Sequence, residues 1–317
     1  MKTFAEMTTR AQVAHLRPIG WEACCAFGLR DAQLTLINHA FNTTWRVTAG
    51  GEEFALRLNV NSARTTEEIR GEVAWTQALA AETDLIVPAP LGMAEFRSPL
   101  IDKSLPAVLY RWLPGRHLKN RVSAPTMAKV GVMMRTLHQH AAGFTFPEGA
   151  SRPLLRNVLE GVIWRLPNEA VFLDSLAEAN AALEKAKHGP ARPVHFDVHF
   201  GNVKMHKGQL SIFDFDDSVL AWPIVDVAQS FFYVRNPGNT EHLEEAFWRT
   251  FGSDPASHGL TDREFEALVA GRSLLLVNDL LGNMTASLRA IAPTSVEKTR
   301  RRLNHFLKTG RFDTSLP

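Results

Sequence analysis

Only two cysteines occur in the 317 residues, and they are neighbours, Cys24 and Cys25. Adjacent cysteines cannot staple distant parts of a chain, so a disulfide-built fold is excluded and a reducing, cytoplasmic setting is expected. No stretch approaches eighteen uninterrupted apolar residues, and no long apolar run follows a basic stretch near Met1, so the sequence offers no candidate membrane span or export signal. A surplus of either charge is also missing: 35 Lys and Arg against 33 Asp and Glu leave a net charge of +2. That balance is too mild to predict nucleic-acid binding, and the lack of an acidic excess counts against a polycationic ligand. The basic run Arg300, Arg301 and Arg302 reads as the solvated face of a last helix. Lysine is absent between Lys2 and Lys103, which will matter below. What remains is an ordinary globular composition, 45% hydrophobic and 21% charged, in a chain too long for one small core and suited to two unequal lobes. It has no internal repeat and no low-complexity tract.

The chemistry concentrates in two neighbouring segments. His195-Phe196-Asp197-Val198-His199-Phe200-Gly201-Asn202 is followed by Ile212-Phe213-Asp214-Phe215-Asp216-Asp217. Short strands over 191–194, 203–205 and 209–213 would carry them as a hairpin. Asn202 lies five residues after Asp197, and Asp214 twelve after Asn202, so the hairpin can bring one base and two oxygen ligands together. Moving a phosphoryl group from ATP to an alcohol needs such a set. Asp197 is the candidate base that orients the acceptor hydroxyl and takes its proton. Asn202 and Asp214 are the candidate magnesium ligands, because Mg2+ prefers hard oxygen donors and keeps several waters.

Three runs, H-F-D-V-H-F-G-N-V, I-F-D-F-D-D-S and W-P-I-V-D-V-A, resemble the aminoglycoside phosphotransferase superfamily, which also holds choline kinases, type II homoserine kinases and bacterial stress-response kinases. The acidic pair Asp216 and Asp217 is most similar to the last two groups. The resemblance implies an α+β, bilobal protein-kinase-like fold: a small antiparallel β lobe with one helix, and a larger, mainly helical lobe. On that plan residues 1–109 form the nucleotide-binding lobe, 110–115 the hinge and 116–317 the catalytic and substrate-binding lobe. It further implies that Asp226, twelve residues beyond Asp214, is a buried structural carboxylate anchoring the catalytic loop.

Other segments supply the rest of the expected site. In residues 53–60, Phe54, Leu56, Leu58 and Val60 share one side of a strand and Arg57 points to the other. The family usually holds a Lys or Arg here against the nucleotide phosphates. Arg is bulkier than Lys and engages phosphate in two directions. Residues 66–81 read as a helix with Glu68 and Glu72 on one face; Glu72 is assigned as the partner of Arg57, with Glu68 next. Residues 34–47 look like the strand, loop and strand that cover the phosphates, but without a glycine-rich loop, so Asn42 and the hydroxyls of Thr43 and Thr44 are the expected contacts. Residues 106–115 read as an apolar strand ending in a Pro-Gly turn, with Tyr110, Arg111, Trp112 and Leu113 as the adenine edge.

Helical patterns follow over 126–142, 169–187, 226–234, 240–251, 262–281 and 296–309. They would carry the acceptor pocket. His199, Asp216, Asp217 and Tyr233 are its candidates, His195 is read as a loop brace, and Trp222, Phe231, Phe232 and Trp248 fit core packing as well as a pocket. Three functions stay open: a kinase for a small hydroxyl compound (amino alcohol, homoserine, sugar or aminoglycoside-like), a serine/threonine protein kinase with an open cleft, and a nucleotide-binding pseudokinase scaffold. The sequence leaves the oligomeric state unassigned.

Overall fold

A computed structural model of the chain describes residues 3–60, 64–119, 122–235 and 240–316. Alternating apolar residues build a five-stranded antiparallel sheet from β1 (Gln33–His39), β2 (Thr43–Ala49), β3 (Glu52–Leu58), β4 (Pro90–Ser98) and β5 (Ile101–Arg111), in the order β1-β2-β3-β5-β4. Phe54, Leu56 and Leu58 of β3 join Trp45 and Val47 of β2 and Leu105 and Leu109 of β5 in one apolar cluster. Helix α1 (Thr9–Ala26) closes it with Leu16, Ile19 and Ala23. This helix adds to the single one expected in the small lobe. It carries Pro18 in its interior, a residue that reads as a helix breaker, and packing on the sheet overrides that signal.

Helix α2 (Thr66–Glu82) lies against the opposite face of the sheet. A capping box starts it: the Thr65 hydroxyl accepts from Glu68 N and the Glu68 carboxylate accepts from Thr65 N. Its Ile69 packs on Val108 and Tyr110 of β5, whereas its Trp75 and Leu79 belong to the large core of the other lobe. Gly71 is the point of closest approach, where a Cβ would stand 1.9 Å from the Ser151 carbonyl oxygen. Only glycine lets α2 lie there.

After the sheet come β6 (Arg116–His117), α3 (Ala124–Gly143) and α4 (Ala170–Ala186). Four short strands follow, β7 (Arg192–Val194), β8 (Val203–His206), β9 (Gln209–Ile212) and β10 (Val219–Ala221), then α5 (Pro223–Val234), α6 (Glu241–Phe251), α7 (Asp262–Gly282) and α8 (Ala286–Thr309). β8 pairs with both β6 and β9, and β7 with β10. Helix α8 starts ten residues before the 296 expected and runs through Pro293, the residue at which a sequence pattern breaks. Trp222 and Phe231 lie in the core, with Phe232 and Trp248 packed against it, so these four follow the core reading. Among the described residues no helix is long and apolar enough to cross a membrane.

Candidate active site

The two chemical segments are braced from below. Asp226, wholly buried in the first turn of α5, accepts from Phe196 N at 2.7 Å with Oδ1 and from His138 Nε2 at 2.7 Å with Oδ2. Phe196 has φ 66°, a left-handed conformation that costs a non-glycine residue of order 1–3 kcal/mol; the Asp226 bond holds it. His195 is buried, accepts from Asp197 N at 3.3 Å through Nδ1 and donates Nε2–H to Phe213 O at 3.2 Å. One imidazole thus ties the loop of Asp197 to the segment of Asp214. Burial lowers its pKa, and the neutral ring suits one donor and one acceptor. The backbone adds Phe213 N to Asn202 O at 3.1 Å.

Asp197 sits at the mouth of this assembly with both oxygens engaged. Oδ1 accepts from Tyr233 Oη at 3.1 Å and from Arg272 Nη2; Oδ2 accepts from Asn202 Nδ2 at 2.8 Å, and His199 Nε2 stands 3.5 Å away. His199 is fixed by Gly201 N, which donates to its Nδ1 at 2.9 Å. Burial raises the Asp197 carboxyl, but Arg272 and then His199 outweigh it and bring the pKa down to about 2. Arg272, on α7, is 1% exposed and also reaches Asp217 Oδ2 at 3.4 Å. The Asp217 pKa is raised by burial and by the Asp197 charge.

On the sheet side, Arg57 is buried and not a solvated strand charge. Its Nη2 meets Glu72 Oε2 at 2.5 Å, Nε donates to Asn59 Oδ1 at 3.0 Å, and Nη1 reaches Asp214 Oδ1 at 3.5 Å across the cleft. The alternative partner, Glu68, is occupied by the helix cap. Asp214 also has a positive φ, 67°, and a side chain 47% exposed. Enclosure in the cleft pushes its carboxyl up to about 7, with Arg57 opposing and Asp216 and Asp197 adding to the rise. Asp216 Oδ2 accepts from Asn42 Nδ2 at 2.8 Å, while Asn42 Oδ1 accepts from Val60 N at 3.2 Å.

The expected nucleotide contacts are spread unevenly. Thr43 is fully buried with its hydroxyl on His39 Nδ1 at 2.8 Å, so it faces away from the cleft; Thr44 lies opposite Arg57 in the register and shares its face. Tyr110 turns its hydroxyl inward to Glu72 Oε1 at 3.0 Å. The amides of Arg111 and Trp112 are taken by Ala89 O and Glu53 O, and the Leu113 carbonyl accepts from Lys204 Nζ at 2.8 Å. Of that edge, the Leu113 amide is the donor with no partner among the described residues.

Three further arginines belong here that sequence reading does not single out. Arg152 donates to the backbone of Asp216, Ser218 and Glu68, and Arg64 to the carbonyls of Asp216 and Asp217 at 3.2 and 3.3 Å. Burial and the nearby Arg64 lower the Arg152 pKa to about 10. Arg272 had a signal: one cation within the apolar run 267–277 of a buried helix needs a partner. Seven residues on along the same face is Asp279, whose pKa is pushed up to about 6 by burial and by Asp217.

The lobes also meet at the start of α8. The corner between α7 and α8 sends Thr285 Oγ1 to Ala40 O in the β1–β2 turn, accepts Gln12 Nε2 on Met284 O at 2.9 Å, and is followed by Arg289, which donates to Ala5 O.

Residues 33–260 match the sequence model of a phosphotransferase enzyme family, APH. An uncharacterized protein of Deinococcus radiodurans is 28% identical over 280 residues, 81% of this chain and 79% of that one. A microcompartment-associated aminopropanol kinase superposes with a TM-score of 0.74 at 17% identity, covering 95% of this chain and 99% of that one. An amicoumacin kinase, solved in complex with AMP-PNP, Ca2+ and Ami, gives a TM-score of 0.70 at 18% identity over 85% and 88% of the two chains. The last two likenesses establish the shared bilobal fold.

Proposed function

The chain belongs to the phosphotransferase enzyme family, and from that premise we propose that it transfers the γ-phosphate of ATP to a hydroxyl group of a small molecule carrying an amine. The observation that carries this reading is the meeting of two pairs in one cleft: Asp197 with Asn202 at 2.8 Å, and Arg57 with Asp214 at 3.5 Å.

Asp197 orients the acceptor hydroxyl and receives its proton on Oδ2. Arg57, fixed by Glu72, faces the phosphates with the Nη1 edge that Asp214 only partly occupies. Leu113 N offers the adenine a donor from the strand end. The donor set fits magnesium: the Asn202 amide commits its nitrogen to Asp197, no described group donates to its Oδ1, and Asp214 presents a half-exposed carboxylate beside it. When bound there, magnesium would neutralise phosphate charge and orient the leaving group.

Two features favour a small, amine-bearing acceptor over a peptide. The α7–α8 corner bridges to the β1–β2 turn, so the acceptor side of the cleft is roofed where a polypeptide would have to pass. Asp197, Asp217 and Asp279 line that side with Arg272 as the buried cation between the first two; an ammonium group would balance the surplus.

The test is calorimetric titration of ATP and of GTP, each with and without Mg2+, followed by a screen of hydroxyl compounds that begins with aminopropanol and includes homoserine, sugars and a serine peptide. Magnesium-dependent binding with phosphorylation of an amino alcohol is the expected result. Nucleotide binding with no turnover of any acceptor, water included, would turn the reading to a scaffold, and phosphorylation of the peptide alone would replace the small acceptor by a protein.

A further inference from the structure

We propose that Arg272 is a positioning residue for phosphoryl transfer, holding Oδ1 of Asp197 so that Oδ2 is the oxygen presented to the acceptor hydroxyl. This rests on the reading of Asp197 as the base. The asymmetry of the carboxylate carries the inference. Oδ1 accepts from two donors, Tyr233 Oη and Arg272 Nη2, whereas Oδ2 accepts from Asn202 alone, with His199 at 3.5 Å. A carboxylate oxygen has two lone pairs: Oδ1 is filled by two donors, whereas the second place on Oδ2 is held only by His199 Nε2–H at 3.5 Å, a reach long enough for an acceptor hydroxyl to take its place.

The arginine is itself immobilised. Its guanidinium carbon lies 5.8 Å from the Phe196 ring centroid and 5.7 Å from that of Tyr233. Nε and Nη2 both reach the Tyr233 oxygen, at 3.4 and 3.1 Å, and Nη2 also links to Asp217. The planar group therefore fixes Asp197, Tyr233 and Asp217 relative to one another. A lysine ammonium, a point charge on a flexible stem, could neutralise Asp197 but could not hold the three in one plane. The alternative is a buried ion pair that serves the fold alone, since removal of one partner destabilises a protein whatever its catalytic use.

The experiment compares the full-length chain with Arg272→Met, Arg272→Lys, Arg272→Ala and Tyr233→Phe. It measures magnesium-dependent ATP affinity by calorimetry and turnover of Mg·ATP with water and with aminopropanol as acceptors, and repeats the Arg272→Ala assays with added guanidinium. A misplaced reacting group costs about 100-fold in rate. The expected result is that loss of turnover in Arg272→Met with ATP affinity retained, a smaller loss in Tyr233→Phe and in Arg272→Lys, and partial recovery of Arg272→Ala by guanidinium. Turnover preserved in Arg272→Met, or ATP affinity and turnover falling together with no guanidinium recovery, would overturn the proposal. If Arg272→Met does not fold, unchanged turnover in both Arg272→Lys and Tyr233→Phe overturns it. An unaltered chain that neither binds nor turns over Mg·ATP would instead remove the phosphotransfer reading on which it rests.

Discussion

Arg57 and Arg272 are both almost wholly buried beside carboxylates, but one reaches across two lobes and the other stays within one. Arg57 leaves a strand of the sheet, takes Glu72 from α2, and touches Asp214 of the second lobe only at 3.5 Å. Arg272 takes Asp197, Asp217 and Tyr233 through Nε and Nη2, all from its own lobe. On the proposed nucleotide face the long contact to Asp214 leaves Arg57 a direction that a phosphate would fill. On the proposed acceptor face the side chains hold one another.

That contrast can be broken in measurable ways. The largest effect belongs to Asp197→Asn, which should slow turnover by about a thousandfold while magnesium-dependent ATP affinity persists; equal losses in calorimetry and in rate would show that the two faces are not separable. Asp226→Ala removes the acceptor of both Phe196 N and His138, and should lower stability by about 3 kcal/mol in denaturant titration. An unchanged midpoint would deny that the acceptor face is braced from α5. Glu72→Gln should weaken ATP binding about tenfold by releasing Arg57 from its charged partner, with turnover at saturating ATP little altered; a rate loss without an affinity loss would place Glu72 on the wrong face.

The smallest effect concerns charge surplus. Asp279 has its pKa raised from an ordinary 3.8 to about 6 in the fold. The folded state then holds its proton more tightly than the unfolded chain, so stability falls as pH rises through that window and the penalty is complete above it. Asp279→Asn should therefore raise the melting temperature at pH 8 and leave it unchanged near pH 3. A gain of equal size at both values would show that the carboxylate is not the cause.

Period and spacing made the Arg57–Glu72 contact legible. Alternation in β3 put Arg57 on the side opposite Leu56 and Leu58, and helical spacing brought Glu72 into reach, because both residues lie in regular elements whose faces follow from counting. Asp197, Asn202 and Asp214 lie in the loops that flank the short strands, and it was their spacing in the chain, not the face of an element, that singled them out. Counting fails for Thr43, whose hydroxyl goes to His39, and for Arg111 and Trp112, whose amides are consumed by the sheet; a strand's faces can be counted, but its partners cannot. Arg64, Arg152 and Arg272 reach the site through contacts between residues 39 to 153 positions apart in sequence, which no local pattern encodes. Helix α1 and the first half of α8 were hidden by Pro18 and Pro293, since tertiary packing decides whether a helix tolerates a proline.

Gly71 has a mechanical meaning. Helix α2 lies between β3 and β4 in the chain, yet its backbone is pressed on Ser151 with no side chain between, and its Trp75 and Leu79 are rooted in the larger core. It meets the sheet through Ile69 and Val73 on Val108 and Tyr110, through the Arg57–Glu72 pair, and through Tyr110 Oη on Glu72. The pair that fixes Arg57 therefore ties the sheet to a helix rooted in the other lobe.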